Sequence, residues 1–521
     1  MQILISQYLS QNKYEPSYFE EFKENYLSHP NYPSLYAITD SLELSGIEIV
    51  TATVPKEQLQ NLPEKFMASI FIENKTEFVL VNKDQARISY ENRKGKTIKI
   101  TFDEFKNIWD GLILAIGENE IKEKPKPSVF ENKNIWFTVP LVLLFFGGLL
   151  NQINSELFFW NYTAFLLLSI IGLLLGIFIV QESLGEANPV VSKVCNGSNK
   201  TVSCDSVVKS NESKLLFGIS FSDLPIVFFF ANLFLIVAKP TFFEPIGFFC
   251  LLSVPVILYS VYLQQFKIKK WCILCLGVSF VLFLQAIIFL FSYDEMAWNI
   301  YEYLQYVITV IVAWFLWKTV EKVLISRNDL VSKNRTLFRF KRKFEIFEFL
   351  SNKNPVNEEI EILRGITINN QENSIKLQLF LSPSCGHCYS TYKKGLEFFK
   401  SYPEKISLEI LFNVNIQNTE NPFIPVVESM YEIFLSENNT IINALDDWYI
   451  KKMSLEDWLR KWKQTEISEI TKSELEKQYL FCVGNNLNYT PVIVFNKNVY
   501  PSDYDLEELK YFISDLEEKN A

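Results

Sequence analysis

The first 194 residues of the chain contain no cysteine, and all 521 residues contain only two histidines, His29 and His387. A thiol hydrolase needs a thiolate beside an imidazole, so the sequence excludes such a site in its N-terminal part. Structural zinc needs about four converging ligands, most often cysteine and histidine. With so few histidines, zinc explains the cysteines less well than redox chemistry does, and we predict no metal site.

The chain has no excess of positive charge, since 50 lysines and arginines face 60 acidic residues for a net charge of −10. That balance argues against nucleic acid as a partner. The sequence contains no Gly-x-x-x-x-Gly-Lys-Ser/Thr loop to cradle a phosphate, which excludes an ATPase of that type. The segment 1–8 is too short for a signal peptide and lacks a basic start, so we expect no cleavable leader.

The cysteines that are present fall mostly into close pairs. Six of the eight do so, which is typical of redox chemistry rather than of a disulfide scaffold. Cys250 lies in an apolar stretch, where packing is expected, and Cys482 is expected to be buried without a partner. The three pairs are the loop pair, Cys195 and Cys204; the membrane pair, Cys272 and Cys275; and the C-terminal pair, Cys385 and Cys388.

Six apolar stretches predict a membrane domain, because a bilayer core of ~30 Å requires about 20 helical residues per crossing. The first and third stretches are short and need neighbouring neutral residues to reach across. A soluble bundle of buried helices is the alternative, and it would require a very large core. The predicted spans are residues 135–150, 157–180, 224–237, 245–263, 271–291 and about 298–317.

The membrane pair opens the fifth of these stretches, in Trp271-Cys272-Ile273-Leu274-Cys275. The Cys-x-x-Cys spacing puts two thiols within reach of a disulfide. Their position puts them at the edge of the lipid, where a hydrophobic electron carrier can meet them. The alternative for this pair is that both cysteines pack as small hydrophobic side chains.

The loop pair lies in a polar segment, residues 181–223, between the second and third spans. The segment contains Cys204-Asp205-Ser206-Val207-Val208-Lys209-Ser210 and then Phe217-Gly218-Ile219-Ser220. Followed by a Cys-x-x-Cys that opens a later helix, this order resembles the vitamin K epoxide reductase family over roughly residues 157–291.

The resemblance to that family implies a role for each of these cysteines. The membrane pair would face a quinone, menaquinone or ubiquinone, bound near Cys275. The loop pair would shuttle electrons, and Ser210 would match the family's loop serine. The first span, 135–150, is extra to the family core and would tether the N-terminal domain.

The C-terminal region follows a second family pattern. Strand 375–381 runs into Ser384-Cys385-Gly386-His387-Cys388 and helix 389–399, followed by strand 406–414, a helical insertion at 426–487, strand 490–495 and helix 504–516. This order resembles the thioredoxin fold in its disulfide-oxidase form, which several bacterial vitamin K epoxide reductase relatives carry fused. The resemblance implies that Pro491 is a cis-proline.

The C-terminal pair is predicted to be oxidising. Cys385 would lie at a helix N-terminus, where the helix dipole favours a thiolate, and His387 adds positive character. A stabilised thiolate stabilises the reduced form and makes the disulfide a stronger oxidant. An ordinary exposed polar residue is the alternative for His387.

The N-terminal region predicts a soluble domain with strands at 47–54, 68–72, 78–82 and 97–101. Its His29-Pro30-Asn31-Tyr32-Pro33-Ser34-Leu35 segment and its Phe78-Val79-Leu80-Val81 strand resemble the papain-like peptidase domain of bacteriocin exporters. That family attacks with an N-terminal cysteine and has a histidine where Glu77 stands here. We therefore expect an inactive domain, with either a docking role or a structural one.

The predicted fold is thus a multidomain membrane protein in five parts. An α+β papain-like domain occupies residues 1–120 and a linker 121–134. An all-α bundle of six transmembrane helices occupies 135–320. A basic helical linker follows at 321–357, and an α/β thioredoxin-like domain with a helical insertion completes the chain at 358–521.

The orientation of the six predicted crossings is contested. Their parity puts the N-terminal domain, all three cysteine pairs and the thioredoxin-like domain on one face. That face also carries most of the lysines, which by the positive-inside rule would make it cytoplasmic. Disulfide formation demands an oxidising compartment, and the family resemblance implies the periplasm. We follow the chemistry and expect a multi-pass inner-membrane protein whose redox domains face the periplasm.

The predicted function is a membrane thiol:quinone oxidoreductase that forms disulfides in exported proteins. Electrons would pass from the C-terminal pair through the loop pair to the membrane pair and a quinone. Expected partners are the lipid bilayer, the quinone and exported cysteine-containing proteins or peptides. Two alternatives are a dedicated thiol oxidase or reductase for one exported peptide system, and a non-enzymatic peptide-export accessory protein.

Overall fold

A computed structural model describes residues 1–72, 75–84, 87–91, 97–117, 143, 146–147, 159–185, 195, 203–208, 220–291, 299–368, 375–436 and 440–520. The chain divides into two compact units. The first unit combines Met1–Tyr26 with Ile38–Asn334, and the second combines Leu27–Ala37 with Arg335–Ala521.

The N-terminal part of the first unit is a six-stranded antiparallel sheet with the strand order β1-β6-β2-β3-β4-β5. β2 lies between β6 and β3, and its residues 66–70 are all buried because both of its faces are covered. The elements are α1 (Gln2–Gln11), α2 (Pro16–Leu27), α3 (Leu35–Leu44), β1 (Ile49–Thr53), β2 (Lys65–Ile72), β3 (Lys75–Lys83), β4 (Ile88–Glu91), β5 (Thr97–Ile100), α4 (Phe102–Ile108) and β6 (Trp109–Ile116).

Four of these strands, β1, β2, β3 and β5, lie where the sequence predicts strands, whereas β4 and β6 were not predicted. β6 follows α4 without a connecting loop. Gly111 near its start has φ 95, a conformation that favours glycine, and a Cβ there would lie 3.0 Å from the Val54 carbonyl oxygen. The strand therefore begins in a backbone geometry that its apolar run alone does not signal.

Apolar helices make up the next part of the first unit. Among the described residues, three are long and apolar enough to cross a membrane: Trp160–Ser183, Phe243–Ile268 and Ile273–Phe291. A fourth apolar helix is shorter. These helices support membrane association. The elements are α5 (Phe159–Ser183), α6 (Cys204–Val208), α7 (Asp223–Ala238), α8 (Phe243–Leu252), α9 (Val254–Tyr262), the π-helical turn Leu263–Ile268, and α10 (Ile273–Phe291).

Two glycines let these helices approach closely. A Cβ on Gly172 of α5 would lie 2.3 Å from the ring of Phe229 on α7. A Cβ on Gly247 of α8 would lie 2.1 Å from the ring of Phe289 on α10. Small residues at helix contacts permit the tight packing that holds apolar helices together in lipid. The four helices thus form one bundle around a shared buried core.

The long helix α11 (Ile300–Lys341) joins the predicted sixth span to the basic linker without a break. Its first half is fastened to both ends of α7. Near one end, Glu302 accepts hydrogen bonds from Lys239 and Thr241, each at 2.7 Å. Near the other end, Asp223 pairs with Lys318 at 2.7 Å. The predicted span 135–150 lies almost wholly outside the described residues, so the count of six crossings stays a prediction.

The second unit contains a five-stranded sheet with the strand order β11-β10-β8-β9-β7. β8 runs parallel to β9 and antiparallel to β10. Helices pack against this sheet. The elements are α12 (Phe344–Ser351), β7 (Ile366–Thr367), β8 (Ile375–Leu381), α13 (Gly386–Ser401), β9 (Ile406–Phe412), α14 (Ile424–Leu435), α15 (Ile441–Tyr449), α16 (Leu455–Trp462), α17 (Glu469–Gly484), β10 (Val492–Phe495), β11 (Asn498–Val499) and α18 (Ile513–Asn520).

β9 lies inside this sheet with all seven of its side chains buried. One of them is charged, Glu409. Its carboxylate accepts hydrogen bonds from the Gly365 amide at 2.8 Å and the Gln378 side chain at 2.7 Å, and Lys376 lies 3.0 Å away. Because a buried charge needs such partners, this polar cluster fixes the register of β9 beside β8.

The segment Leu27–Ala37 belongs to the second unit because it contacts the basic end of α11. Arg339 donates a hydrogen bond to the Leu27 carbonyl at 2.8 Å, and its guanidinium lies 4.2 Å from the centre of the Tyr32 ring. His29, in the middle of the segment, is buried. The motif that resembles a peptidase signature thus serves as a contact surface in this structure.

Candidate functional site

The membrane pair lies at the start of α10. The Cys275 amide donates a hydrogen bond to the Cys272 sulfur at 3.3 Å. Cys272 is fully buried and Cys275 is half-buried. The first turn of a helix has amides without helical partners, and they favour negative charge. The Cys272 sulfur therefore lies where the helix start would stabilise a thiolate.

A buried glutamine holds the main chain just before this helix. Gln264, in the π-helical turn Leu263–Ile268, accepts a hydrogen bond from the Cys272 amide through Oε1 at 2.8 Å. Its own amide group donates to the Ser260 hydroxyl at 3.1 Å. Only 1% of Gln264 is exposed, so solvent does not compete for these bonds. Gln264 thus fixes the position at which Cys272 enters the helix.

The loop pair forms a disulfide between Cys195 and Cys204, whose Cα atoms are 5.4 Å apart. Both residues are fully buried. They belong to the same buried cluster as Cys272, and the half-buried Cys275 packs against that cluster. The structure therefore brings the two pairs into one compact region.

Two hydrogen bonds tie the loop to the turn before the membrane pair. The Ser203 amide donates to the Trp271 carbonyl at 3.0 Å. The Lys270 ammonium donates to the Ser206 hydroxyl at 2.9 Å. Because Ser203 and Ser206 flank Cys204, these bonds hold the loop disulfide beside the start of α10.

A small cavity of about 30 Å³ lies beside Cys275. Its walls are mostly apolar, with three hydrogen-bonding side chains, those of Ser222, Ser260 and Gln264. Val207 and Val208 of the loop helix α6 close one side. Its volume is enough for a water molecule or two. The lining combines apolar contact with a few polar groups, which is the chemistry of a small-molecule site.

The C-terminal pair lies between the end of β8 and the start of α13. Cys385 immediately precedes α13, and Cys388 is fully buried in its first turn. The Cys385 thiol donates a hydrogen bond to the Thr490 carbonyl at 3.2 Å. The Ser382 amide donates to the Cys388 sulfur at 3.4 Å. The Cys385 thiol is thus partly accessible, whereas the Cys388 thiol is enclosed.

The two thiols of this pair differ in acidity. Burial raises the pKa of Cys385, but hydrogen bonds from the Thr490 side chain, from the Cys388 thiol and from the first amides of α13 outweigh it, so the pKa lies below that of an ordinary thiol. Burial raises the pKa of Cys388 to about 12. At neutral pH, Cys385 is therefore the more readily ionised thiol of the two, and Cys388 stays protonated.

Three further predicted site residues have different outcomes. The Thr490–Pro491 peptide bond is cis, as the resemblance implies, and Pro491 directly follows the residue that contacts Cys385. His387 lies exposed in the first turn of α13. Ser210 lies outside the described residues. The chemical roles of His387 and Ser210 stay predictions.

The two remaining cysteines are both buried. The Cys250 thiol lies 3.5 Å from Oε1 of Gln285 inside the helical bundle. Cys482 packs in an apolar cluster of the second unit, where burial raises its pKa to about 12. Buried thiols of this kind fit packing roles. Within the described ranges, no three His, Cys, Asp or Glu side chains converge as metal ligands.

Gln264, Lys270 and Ser206 were not predicted as site residues. Lys270 belongs to a polar stretch without a distinctive motif, and Ser206 lies in the segment from Cys204 to Ser210 that carries the family resemblance, which implies no role for it. Gln264 carried a usable signal, since two glutamines, 264 and 265, directly follow the apolar stretch 245–263. Polar side chains at membrane depth are rare and tend to mark functional positions.

The residues of the predicted peptidase resemblance lie in different settings. Glu77 is on β3, opposite Ile70 of β2. His29 is in the segment Leu27–Ala37, where its Nδ1 accepts a hydrogen bond from the Asn31 amide at 3.0 Å. The region is rich in sheet, and its likeness to a peptidase, including the expected lack of activity, stays a prediction.

Comparison with protein families matches residues 163–290 to the vitamin K epoxide reductase family. The matched range contains the loop pair and the membrane pair and ends within α10. The resemblance predicted at roughly 157–291 is thereby confirmed for this range. The C-terminal pair lies outside it. No curated protein sequence matches the chain.

Several solved structures are similar to part of the chain. The catalytic domain of Proteus mirabilis ScsC is 12% identical, covering 31% of this chain and 95% of its own, with a TM-score of 0.27. The thiol-disulfide exchange protein alpha-DsbA2 from Wolbachia pipientis is 15% identical, covering 30% and 90%, with a TM-score of 0.26. Oxidised BdbD from Bacillus subtilis is 12% identical, covering 30% and 93%, with a TM-score of 0.25.

Proposed function

We propose that this chain is a membrane thiol:quinone oxidoreductase that forms disulfides in exported proteins. A disulfide-forming redox function follows from the vitamin K epoxide reductase domain at residues 163–290 together with the thioredoxin-like arrangement of the C-terminal pair. The quinone, the exported substrates and the order of transfer are the further content of the proposal.

One observation carries the proposal: the loop disulfide and the membrane pair share one buried cluster and are tied together by two hydrogen bonds. A purely structural disulfide needs no dithiol beside it. Thiol–disulfide exchange does need one, because a sulfur atom must reach another sulfur atom. The shared cluster therefore supports direct transfer between the loop pair and the membrane pair.

The proposed relay consists of three exchanges of the same kind. A substrate thiolate attacks the oxidised C-terminal pair, and the substrate leaves with a disulfide while both cysteines of the pair become thiols. The Cys385 thiolate then attacks the loop disulfide, and Cys388 resolves the mixed disulfide. The loop thiols next reduce the oxidised membrane pair. Each exchange breaks one S–S bond and forms another, so two electrons move inward at each step.

The reduced membrane pair must then be reoxidised. A quinone supplies that oxidising capacity, since its reduction to the quinol takes up two electrons and two protons. The residues that would hold its head group are the apolar walls beside Cys275 and the polar side chains of Ser222, Ser260 and Gln264. Their chemistry fits an apolar ring with two carbonyl oxygens. The cavity of about 30 Å³ must widen to admit the ring.

The membrane face predicted to carry the three cysteine pairs is proposed to lie outside the cytoplasm. Stable disulfides form in oxidising compartments, whereas cytosolic thiols are kept reduced. A relay that ends in protein disulfides is useful only on the oxidising side. The positive-inside rule predicts the opposite orientation, because most of the lysines lie on this same face. A topology reporter distinguishes the two orientations.

Quinone reduction by the purified protein tests this function. The protein in lipid nanodiscs would be mixed anaerobically with a short-chain quinone and a reduced dithiol peptide, and quinol formation followed by absorbance. We expect turnover with the natural sequence and none with Cys275→Ser. Cys482→Ser is the matched control, because Cys482 is a buried thiol outside the relay, and it should keep its turnover. Absence of turnover in the natural sequence would contradict quinone coupling.

A further inference from the structure

Two glutamines are almost fully buried among the described helices of the membrane region, and they make different contacts. Gln285 is 0% exposed, and its amide donates to the Phe165 carbonyl at 3.4 Å and the Ser169 hydroxyl at 2.9 Å, which fastens α10 to α5. Gln264 is 1% exposed and bonds instead to the main chain of Cys272. A polar side chain in an apolar region is costly, so each must be satisfied by specific partners.

The Cys272 amide is one of the first donors of α10, which have no acceptor within the helix. Since Cys272 is fully buried, water cannot satisfy this donor. Gln264 does so from eight residues earlier in the chain, across a turn in which Lys269 has φ 55. That left-handed residue ends the π-helical turn, so helical continuity does not hold Cys272 in place from this side. The hydrogen bond from the Cys272 amide to Gln264 holds Cys272 itself, whereas the bonds to the loop hold the two residues before it.

A fixed Cys272 has a consequence for the redox chemistry of the pair. Two thiols held at a set separation have a higher effective concentration toward each other than two mobile thiols. Preorganisation of this kind favours the closed disulfide over the open dithiol, because less freedom is lost when the bond forms. An anchor on the Cys272 amide therefore stabilises the oxidised pair.

We propose that Gln264 is a positioning residue that lowers the reduction potential of the membrane pair by holding the Cys272 main chain. Gln264 touches no reacting sulfur in this role and acts through the amide. The Ser260 hydroxyl, bonded to the other end of the carboxamide, holds Gln264 in the orientation that presents Oε1 to Cys272. The proposal rests on the proposed function in one respect only: it takes the membrane pair to be redox-active.

The test is an equilibrium titration of the full chain in nanodiscs. The protein would be incubated anaerobically with graded mixtures of reduced and oxidised dithiothreitol, and the oxidised fraction of the membrane pair measured by differential alkylation and mass spectrometry. For Gln264→Leu we expect the equilibrium constant for disulfide formation to fall about tenfold, which for a two-electron couple raises the potential by about 30 mV.

Gln285→Leu is the matched control. This variant removes another buried glutamine from the same bundle and should destabilise the fold similarly. The equilibrium constant for disulfide formation should stay within about twofold of the natural value, because the contacts of Gln285 lie farther along α10, away from the membrane pair. If Gln264→Leu does not fold, Ser260→Ala decides the question: it frees the carboxamide, and we expect a shift of about two- to threefold in the same direction.

The outcomes separate the two proposals. If the natural pair titrates normally and Gln264→Leu titrates at the same potential, the positioning role is overturned. An equal shift in Gln285→Leu would overturn it too, because general loosening of the bundle would then explain the change. A natural membrane pair that forms no disulfide at any ratio would overturn the proposed function, and with it this role.

Discussion

The Lys270 ammonium donates a hydrogen bond to the Ser206 hydroxyl at 2.9 Å. Ser206 is two residues after Cys204, and Lys270 is two residues before Cys272. This single contact therefore joins the helix that begins at the loop disulfide to the turn that leads into the membrane pair. It offers a direct way to loosen one pair from the other without touching a cysteine.

Lys270→Met is expected to slow the transfer of electrons from the loop pair to the membrane pair about three- to tenfold. A single hydrogen bond contributes roughly 0.5–1.5 kcal/mol, and its loss lets the loop disulfide move away from its partner thiols. Rapid-quench alkylation after reduction of the loop pair would give the rate. Lys267→Met, a change of the same kind three residues earlier, should leave that rate unchanged. Equal rates for Lys270→Met and the natural protein would show that the contact does not position the loop.

Cys385 should react with iodoacetamide at a lower pH than an ordinary thiol, while Cys388 should stay protected. In the reduced protein, the pKa of Cys385 is lowered and that of Cys388 is raised to about 12. Because the folded-state pKa of Cys385 is below its unfolded value, its thiolate stabilises the reduced fold at high pH. That stabilisation is lost as the pH falls through the folded pKa.

Peptide mapping of the alkylated protein over a pH series would measure both thiols of the C-terminal pair. A Cys385 profile with its midpoint at or above the ordinary value of about 8.5 would contradict the lowered pKa. Equal labelling of Cys388 would contradict its enclosure. Relative to an ordinary dithiol whose thiols stay protonated, the C-terminal pair should become a stronger oxidant as the pH rises above the Cys385 midpoint, since its reduced state then takes up one proton fewer.

Arg342→Ala should increase hydrogen exchange in the segment Leu27–Ala37. Arg342 donates to the Ser28 hydroxyl and to the Tyr511 hydroxyl, and its guanidinium lies 3.6 Å from the centre of the Tyr511 ring. The substitution removes an arginine that contacts the segment, so we expect amide exchange there to rise about tenfold, which corresponds to roughly 1.4 kcal/mol.

Lys333→Ala provides the control for this measurement. Lys333 lies on α11, which ends directly before Arg342, and it forms an exposed ion pair with Asp329; such pairs contribute little to stability. Its loss should not change exchange in Leu27–Ala37. If Arg342→Ala has as little effect as Lys333→Ala, the segment is held by other contacts, and its role as a contact surface for α11 is not supported.

A reporter fused after Ala521 tests the orientation. Alkaline phosphatase needs disulfides and is active only outside the cytoplasm, whereas a fluorescent protein reports the cytoplasmic side. We expect phosphatase activity and no fluorescence. The reverse pattern would place the C-terminal pair in the cytoplasm, as the lysine distribution indicates, and would contradict the oxidase direction of the relay.

The elements that the sequence predicts well are those fixed by local pattern. β8 occupies residues 375–381 as expected, because an apolar run bounded by polar residues on one side and a Pro-Ser-Cys turn on the other leaves little choice. The cis bond before Pro491 was implied by the resemblance of this region to the thioredoxin fold. The three cysteine pairs are visible in the spacing alone.

The features that were missed depend on contacts between distant parts of the chain. β6 pairs with β1 and β2, far away in sequence, and its short apolar run by itself does not tell a strand from the end of the preceding helix α4. The predicted span 245–263 is in fact two helices that meet at Ser253 and continue through a π-helical turn to Ile268. That turn sets the position of Gln264, so the anchor of Cys272 could not be predicted from the Cys-x-x-Cys motif.

The most direct test of the relay is quinone turnover by the double variant Cys195→Ser/Cys204→Ser with two different electron donors. The loop pair is the only proposed carrier between the C-terminal pair and the membrane pair, whereas a small dithiol can reduce the membrane pair directly. We predict turnover with the small dithiol and none with the reduced C-terminal pair as donor. Equal turnover with both donors would mean that the loop disulfide is structural, and it would contradict the relay.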